Sequence, residues 1–394
     1  MPRRIFLHVG PPKTATTYLQ NVLSANQAVL AEQGITVLVH QAPLYNAASE
    51  LLERRPRRAR ELPRGAWRRL CREVEQVPGD VIVSCERFSL FRPAHAAMLL
   101  DSVFGRSELH VVLTLRDVTA VLPSWWQERA KNGGTQSWPQ FCRRAQANPA
   151  ALARMTRVEL PVATWGEALA AERVRIITVP PPGMPGLSRD VVLERFCAVV
   201  GADPASLVVG PDVTPNSSVG LVGGELIRRL NDHAGGRMGP RVRHLEVKRF
   251  LAEEVLNRGT TRRPQLPPSA FEVARAHQER VLARIRDAGF PVEGDLAELT
   301  STPPPDASAP AAPVTDAELL DAALDAITAL ARRSYRRHQR ITTAEQPRAY
   351  TVLRSLAHWV RRRKGGGRRR GWTPASSPAR PARQQSGSRD DGLG

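Results

Sequence analysis

The residues best placed to do chemistry in this 394-residue chain fall into three groups. The first is Gly10-Pro11-Pro12-Lys13-Thr14-Ala15-Thr16-Thr17, where one ammonium and three hydroxyls gather between an apolar run, Ile5–Val9, and a helical pattern. A loop of this kind turns backbone N–H groups and the positive end of a helix dipole toward a compact anion, so phosphate or sulfate is its natural ligand. The second is Arg116-Asp117 at the end of Leu109–Leu115, followed eight residues after Arg116 by Ser124 in Ser124-Trp125-Trp126. Arginine offers a charged planar fork and serine a short donor, a pairing suited to phosphate oxygens. The third is Glu86, directly after Val81–Cys85, a carboxylate able to act as a general base. His95 is the alternative base, and His8, inside the first apolar run, is expected to be packed.

The elements that must hold these groups alternate between strand and helix. Ile5–Val9 reads as a strand, Leu19, Val22, Leu23 and Leu30 mark one face of a helical stretch, Gly34 is a helix stop and Ile35–Val39 is a second strand. That is a βαβ opening, which implies a parallel sheet. Val81–Cys85 is the third strand, Pro93–Phe104 is helical, and Leu109–Leu115 is a fourth strand of the continuously apolar kind buried on both faces. Residues 117–131 are helical, with Pro123 either near the start or at a kink. Val174–Val179 is the fifth strand, stopped by Pro180-Pro181-Pro182, and the strands are expected to end there. Helices are expected at Arg189–Val200, Glu225–Asn231, Leu245–Leu256 and Phe271–Ala288. The fold class is therefore α/β with a central, mainly parallel, five-stranded sheet and helical C-terminal additions. Each of the three reactive groups follows a strand, the end at which open α/β sheets bind ligands.

Composition bounds the rest. Hydrophobic residues make up 42%, enough for a core, and the formal net charge is +19. Only four basic residues are lysine (13, 131, 248 and 364), against 53 arginines, and +9 of the charge lies in the last 44 residues. No apolar run reaches the ~18 residues of a membrane span. No secretion signal opens the chain, and the four cysteines (71, 85, 142, 197) form no C-x-x-C pair, so neither a zinc site nor a disulfide framework is expected and the expected compartment is cytoplasmic. The expected organisation is a catalytic domain over 1–299, a Ser/Pro/Ala-rich linker over 300–315, a helical extension over 316–348 and a basic disordered tail over 349–394. The tail leaves weak contact with an anionic membrane or a nucleic-acid-binding role as alternatives, although no specific nucleic-acid motif is present.

Pro12-Lys13-Thr14-Ala15-Thr16-Thr17 is similar to the P-K-T-G-T-T loop of sulfotransferases that use 3′-phosphoadenosine-5′-phosphosulfate (PAPS). The ATP-binding version, G-x-x-x-x-G-K-[ST], is longer and needs a second glycine that this loop lacks. The departure from the sulfotransferase loop is Ala15 in place of glycine, a methyl that costs only if the backbone there needs a positive φ. The strand-Arg116-Asp117 run followed by Ser124 resembles the second PAPS signature of that family. The stretch Trp125, Trp126, Lys131-Asn132-Gly133, Trp138 and Phe141 resembles its bacterial branch. The resemblance covers residues 3–200, and 200–295 in general character. It implies a three-layer α/β/α, P-loop-like fold with PAPS as sulfuryl donor. The 5′ end would lie on Pro12, Lys13, Thr14, Ala15, Thr16 and Thr17, and the 3′-phosphate on Arg116 and Ser124. Lys13 would stabilise charge on the leaving phosphate and Glu86 would act as base. No metal is expected, and the acceptor would be a hydroxyl on a carbohydrate, glycolipid or small molecule. Asn216-Ser217-Ser218 is assigned no role, and the echo of a 3′-phosphate loop at Lys364-Gly365-Gly366-Gly367 and Gly371-Trp372 is read as coincidence. The alternatives are a kinase-like P-loop enzyme and an inactive relative. Oligomeric state is not legible.

Overall fold

The structure, a computed structural model, describes residues 3–39, 42–52, 65–210, 218–258, 262–301 and 312–339. Six strands pair into one sheet: β1 (Arg4–Val9), β2 (Ile35–Leu38), β3 (Asp80–Ser84), β4 (Glu108–Arg116), β5 (Val174–Val179) and β6 (Val292–Glu293). Their order is β2-β3-β1-β4-β5-β6 and every pairing is parallel, with Ile5 opposite both Val81 and Leu109, and Val111 opposite Val174. The five strands read from the sequence are present within a residue or two of the expected limits.

The sixth strand corrects the expectation that the sheet ends at β5. It is two residues long, paired through Ile176↔Val292 and Ile177↔Glu293, and a strand of that length has no period to be read. It forms because a 20-residue helix, Pro268–Asp287, returns the chain to the sheet edge, where Ile176 N–H donates to Pro291 O at 2.9 Å.

Between the strands run α1 (Thr16–Ala25), α2 (Gln27–Glu32), α3 (Ala42–Leu52), α4 (Ala66–Glu75), α5 (Pro93–Leu100) and α6 (Val103–Arg106). After β4 come α7 (Val118–Lys131), α8 (Trp138–Ala147), α9 (Pro149–Thr156) and α10 (Glu159–Ala168). Beyond β5 lie α11 (Val191–Val200), α12 (Gly220–Ala234), α13 (Pro240–Val242), a π-helix over Arg243–Val255, and α14 (Pro268–Asp287). Residues 316–339 are helical as well. The Arg-rich stretch before β3 is helical at Ala66–Glu75, while 53–64 lies outside the described residues, as do most of the expected linker and all of the tail. The described residues up to Ala329 belong to one compact unit and those from Leu330 to a second.

Side-chain alternation explains the apolar strands. Ile5, Leu7 and Val9 enter one buried cluster with residues of α3, α4, α5 and α14, while Phe6 enters another with Leu19, Val22 and Leu23 of α1 and Phe196 of α11. A strand whose alternate residues are both buried reads as a continuous apolar run. Each fully buried leucine, isoleucine or phenylalanine contributes about 1.5–3 kcal/mol.

Pro123 lies inside α7 and not at its start. Asp117 caps α7, accepting from Thr119 N at 2.8 Å, and the helix runs through Pro123, which removes the one hydrogen bond that would have reached Thr119 O.

Candidate functional site

The strand order reverses between β1 and β4: β2 and β3 lie on one side of β1, and β4 and β5 on the other. Crevices outside the strand C-termini at such a point bind ligands in open α/β sheets. The loop after β1 and the β4–α7 junction border that point.

The loop is held from below by a buried polar chain. Gln20 Nε2 donates to Ser84 Oγ at 3.1 Å, Ser84 Oγ meets His8 Nδ1 at 2.8 Å, and His8 Nε2 meets Thr114 Oγ1 at 3.2 Å. Thr114 Oγ1 lies 3.0 Å from Thr14 Oγ1, which donates to Pro11 O at 2.7 Å. His8 is fully buried, and burial lowers its pKa to about 3, so the ring is neutral. This agrees with its expected packed role. Gly10 leaves no room for a side chain, since a Cβ there would run into Thr16 Oγ1 and lie 2.9 Å from Thr114 Oγ1.

The loop conformation answers the question raised by Ala15. Its φ is +63° and that of Lys13 is +73°, both in the left-handed region, which costs a non-glycine residue about 1–2 kcal/mol. Two strained residues on either side of Thr14 at a strand–helix turn are the kind of feature that persists at ligand-binding sites. The first-turn N–H groups of α1 have no intrahelical acceptor, and no side chain caps this helix end.

A cavity of about 730 Å³ opens over the switch point. Lys13 and Ala15 line it from the first loop, and Arg116, Ala120, Pro123, Ser124, Gln127 and Lys131 from the end of β4 and one stripe of α7. Opposite are Val179 and the three prolines that follow β5, the segment Leu187–Val192, and Ser218, Arg263 and Pro264. The cavity thus brings Lys13 together with Arg116 and Ser124, which lie more than 100 positions further along the chain. Pro12, Thr14, Thr16, Thr17 and Glu86 do not line it. Thr14 and Thr16 are buried under the loop, where their hydroxyls are engaged or shielded, and Thr17 is exposed. The side chains of Thr14 and Thr16 pack beneath the loop. His95 is engaged elsewhere, its Nδ1 accepting from Arg92 N at 3.0 Å at the start of α5. Trp126 and Trp138 belong to the core, their indole N–H groups donating to Gln136 O and Gln265 O.

The lining is cationic. Lys13, Arg116, Lys131, Arg189 and Arg263 face it against a single acid, Asp190, which accepts from Tyr18 OH at 2.6 Å. Arg116 and Lys131 have no hydrogen-bond or ion-pair partner among the described residues, and burial lowers the pKa of both. Unpaired buried cations are costly unless an anion joins them. The cavity therefore fits a ligand with several negative charges, and its size suits a nucleotide.

Glu86 begins the 3₁₀ turn Glu86–Leu90 directly after β3. Burial raises its pKa above the usual carboxylate range, with Lys13 and Arg157 opposing that rise. A carboxyl of raised basicity beside a lysine is suited to accept a proton. Arg157 stands in the left-handed region with φ +55°, its guanidinium 5.3 Å from the centre of the Trp125 ring, whose Nε1 is buried without an acceptor.

Sequence reasoning missed Glu128 and Lys248. Glu128 Oε2 accepts from Lys13 Nζ at 3.0 Å and Oε1 from Lys248 Nζ at 2.7 Å. Burial disfavours its charged form, yet the two ammonium groups hold its carboxyl at about 2. The scarcity of lysine was the one available signal. Among the described residues no group of three or more His, Cys, Asp or Glu side chains is placed to hold a metal ion, and no helix is long and apolar enough to cross a membrane. No protein-family model, curated protein or solved structure matches this chain.

Proposed function

We propose that this chain is a PAPS-dependent sulfotransferase with a three-layer α/β/α, P-loop-like fold acting in the cytoplasm. The observation that carries the reading is the single cavity lined at one end by Lys13 and Ala15 and at the other by Arg116 and Ser124. Two buried clusters on alternate sides of the strands support the layered fold. The unpaired Arg116 supports a 3′-phosphate clamp, a feature that a site for ATP would not need.

When bound, PAPS supplies a sulfuryl group whose bond to the bridging oxygen breaks as a bond to the acceptor oxygen forms, leaving 3′-phosphoadenosine-5′-phosphate. The chain's residues prepare that exchange. Lys13 and the first-turn N–H groups of α1 hold the 5′ end and stabilise negative charge there. Arg116 and Ser124 hold the 3′ end and so fix the reacting distance. Glu86 takes the proton of the acceptor hydroxyl, and its raised pKa suits it to that task. The acceptor is a hydroxyl of a carbohydrate, glycolipid or small molecule. No carboxylate cluster is assigned to a metal.

Calorimetric titration of the full chain with 3′-phosphoadenosine-5′-phosphate, AMP and ATP, with and without Mg²⁺, tests the reading. Binding of the 3′-phosphorylated nucleotide without Mg²⁺, weakened about tenfold or more by Arg116→Met, is expected from the loss of charge-assisted hydrogen bonds. Preference for Mg²⁺-ATP would overturn it in favour of a kinase.

A further inference from the structure

Of 57 basic residues in the chain only four are lysines, and three of the four gather at one carboxylate. They arrive on separate elements: Lys13 on the loop after β1, Lys131 at the last turn of α7 and Lys248 on the π-helix. Glu128 takes Lys13 on one oxygen at 3.0 Å and Lys248 on the other at 2.7 Å. Lys131 lies three residues beyond Glu128 on the same helix and interacts electrostatically with Glu128, Lys13 and Lys248. It is only 7% exposed, has no bonded partner among the described residues, and lines the cavity.

In a chain where arginine is the default cation, lysine at three converging positions points to a need for compact point charges. A guanidinium is planar, broad and built for two parallel hydrogen bonds, whereas an ammonium can approach a small tetrahedral anion from any side. Leaving Lys131 sunk and unpaired is costly unless an anion completes the site.

Resting on the PAPS reading, we propose that Lys131 is a second lysine contact to the 5′-phosphosulfate end of the donor, with Glu128 and Lys248 as positioning residues. Glu128 holds Lys13 toward the cavity until the anion takes it. Lys248 then keeps Glu128 neutralised, so that release of Lys13 does not strand a buried carboxylate. The π-helix, a rare conformation often found at functional sites, is what carries Lys248 to Glu128.

The test uses two nucleotides that differ only at the 5′ end, 3′-phosphoadenosine-5′-phosphate and adenosine 3′-monophosphate, titrated into the full chain. Lys131→Met should weaken the bisphosphate about tenfold and leave the monophosphate unchanged, which also serves as the folding control. Glu128→Gln, nearly identical in shape, should tighten the bisphosphate severalfold by releasing Lys13 and removing a negative charge. Lys248→Met should weaken the bisphosphate, because an unneutralised Glu128 retains Lys13. Equal losses for both nucleotides in Lys131→Met, no loss for either, or a Glu128→Gln variant that binds the bisphosphate no better than wild type would overturn this inference alone. A wild-type chain that binds neither nucleotide overturns the donor reading and this inference with it.

Discussion

Two cationic clefts border α7, and they differ in what their charges rest on. The cavity at the strand ends takes Ala120, Ser124, Gln127 and Lys131, a stripe at helical spacing, and its cations include the half-buried Arg116 and the buried Lys131, both unpartnered among the described residues. The other cleft, about 800 Å³, is lined by Arg129, Arg144 and Arg228 with Ser137, Gln140 and Asp232. There Arg129 and Arg144 are exposed, and Arg228 is satisfied by Glu225 at 2.8–2.9 Å and by Thr135 O at 3.2 Å. A cation in water costs little and demands nothing, whereas a cation held out of water without a partner requires an anion. The clefts are similar in size and sign, so burial, and not charge count, separates a site from a solvated surface.

The largest break in that contrast should come at Glu86, whose carboxyl is shaped by burial beside Lys13. Glu86→Gln should lower the rate of sulfuryl transfer to a hydroxyl acceptor by about 10²–10⁴ while nucleotide binding persists. The wild-type rate should fall as pH drops through the raised Glu86 pKa, because only the deprotonated carboxylate accepts the proton, and that acid limb should vanish in the variant. A pH–rate profile that keeps its limb in Glu86→Gln would move the base elsewhere.

A smaller effect is expected at the loop. Ala15→Gly relieves a left-handed alanine and should raise stability by about 1 kcal/mol, read from thermal unfolding. Unchanged or lowered stability would mean that the surrounding loop, and not the alanine backbone, sets the local cost. Gly10→Ala runs the other way, since its methyl meets Thr16 Oγ1 in a closely packed polar chain, and it should destabilise the fold.

The smallest effect belongs to the second cleft. Exchanging Arg129 and Arg144 for serine should leave affinity for 3′-phosphoadenosine-5′-phosphate unchanged by titration, because exposed, well-solvated charges contribute little. A loss comparable to that of Arg116→Met would erase the distinction between the clefts.

The parts of the site legible in advance were those with local signatures. Lys13, Arg116 and Ser124, which line one cavity, lie at or beyond the ends of strands whose apolar runs are unmistakable, whereas Glu86, read by the same rule, does not line it. What could not be read was the use of each side chain. Thr14 and Thr16 have the right chemistry for an anion but are buried, Thr14 being turned under the loop by Pro11 O and by Thr114, a residue 100 positions away.

By itself, then, the sequence determined the alternation of strand and helix, the parallel sense of the sheet and the lysine- and threonine-bearing loop between the first strand and its helix, because each follows from residues near one another in the chain. Only the tertiary structure decided that β6 closes the sheet edge, that α7 runs through Pro123, and that Glu128 joins Lys13 to Lys248 across 115 and 120 positions. Pairings of that range leave no periodicity in the sequence. They exist because packing helices against the sheet brings their charges into a space too dry to leave them unmatched.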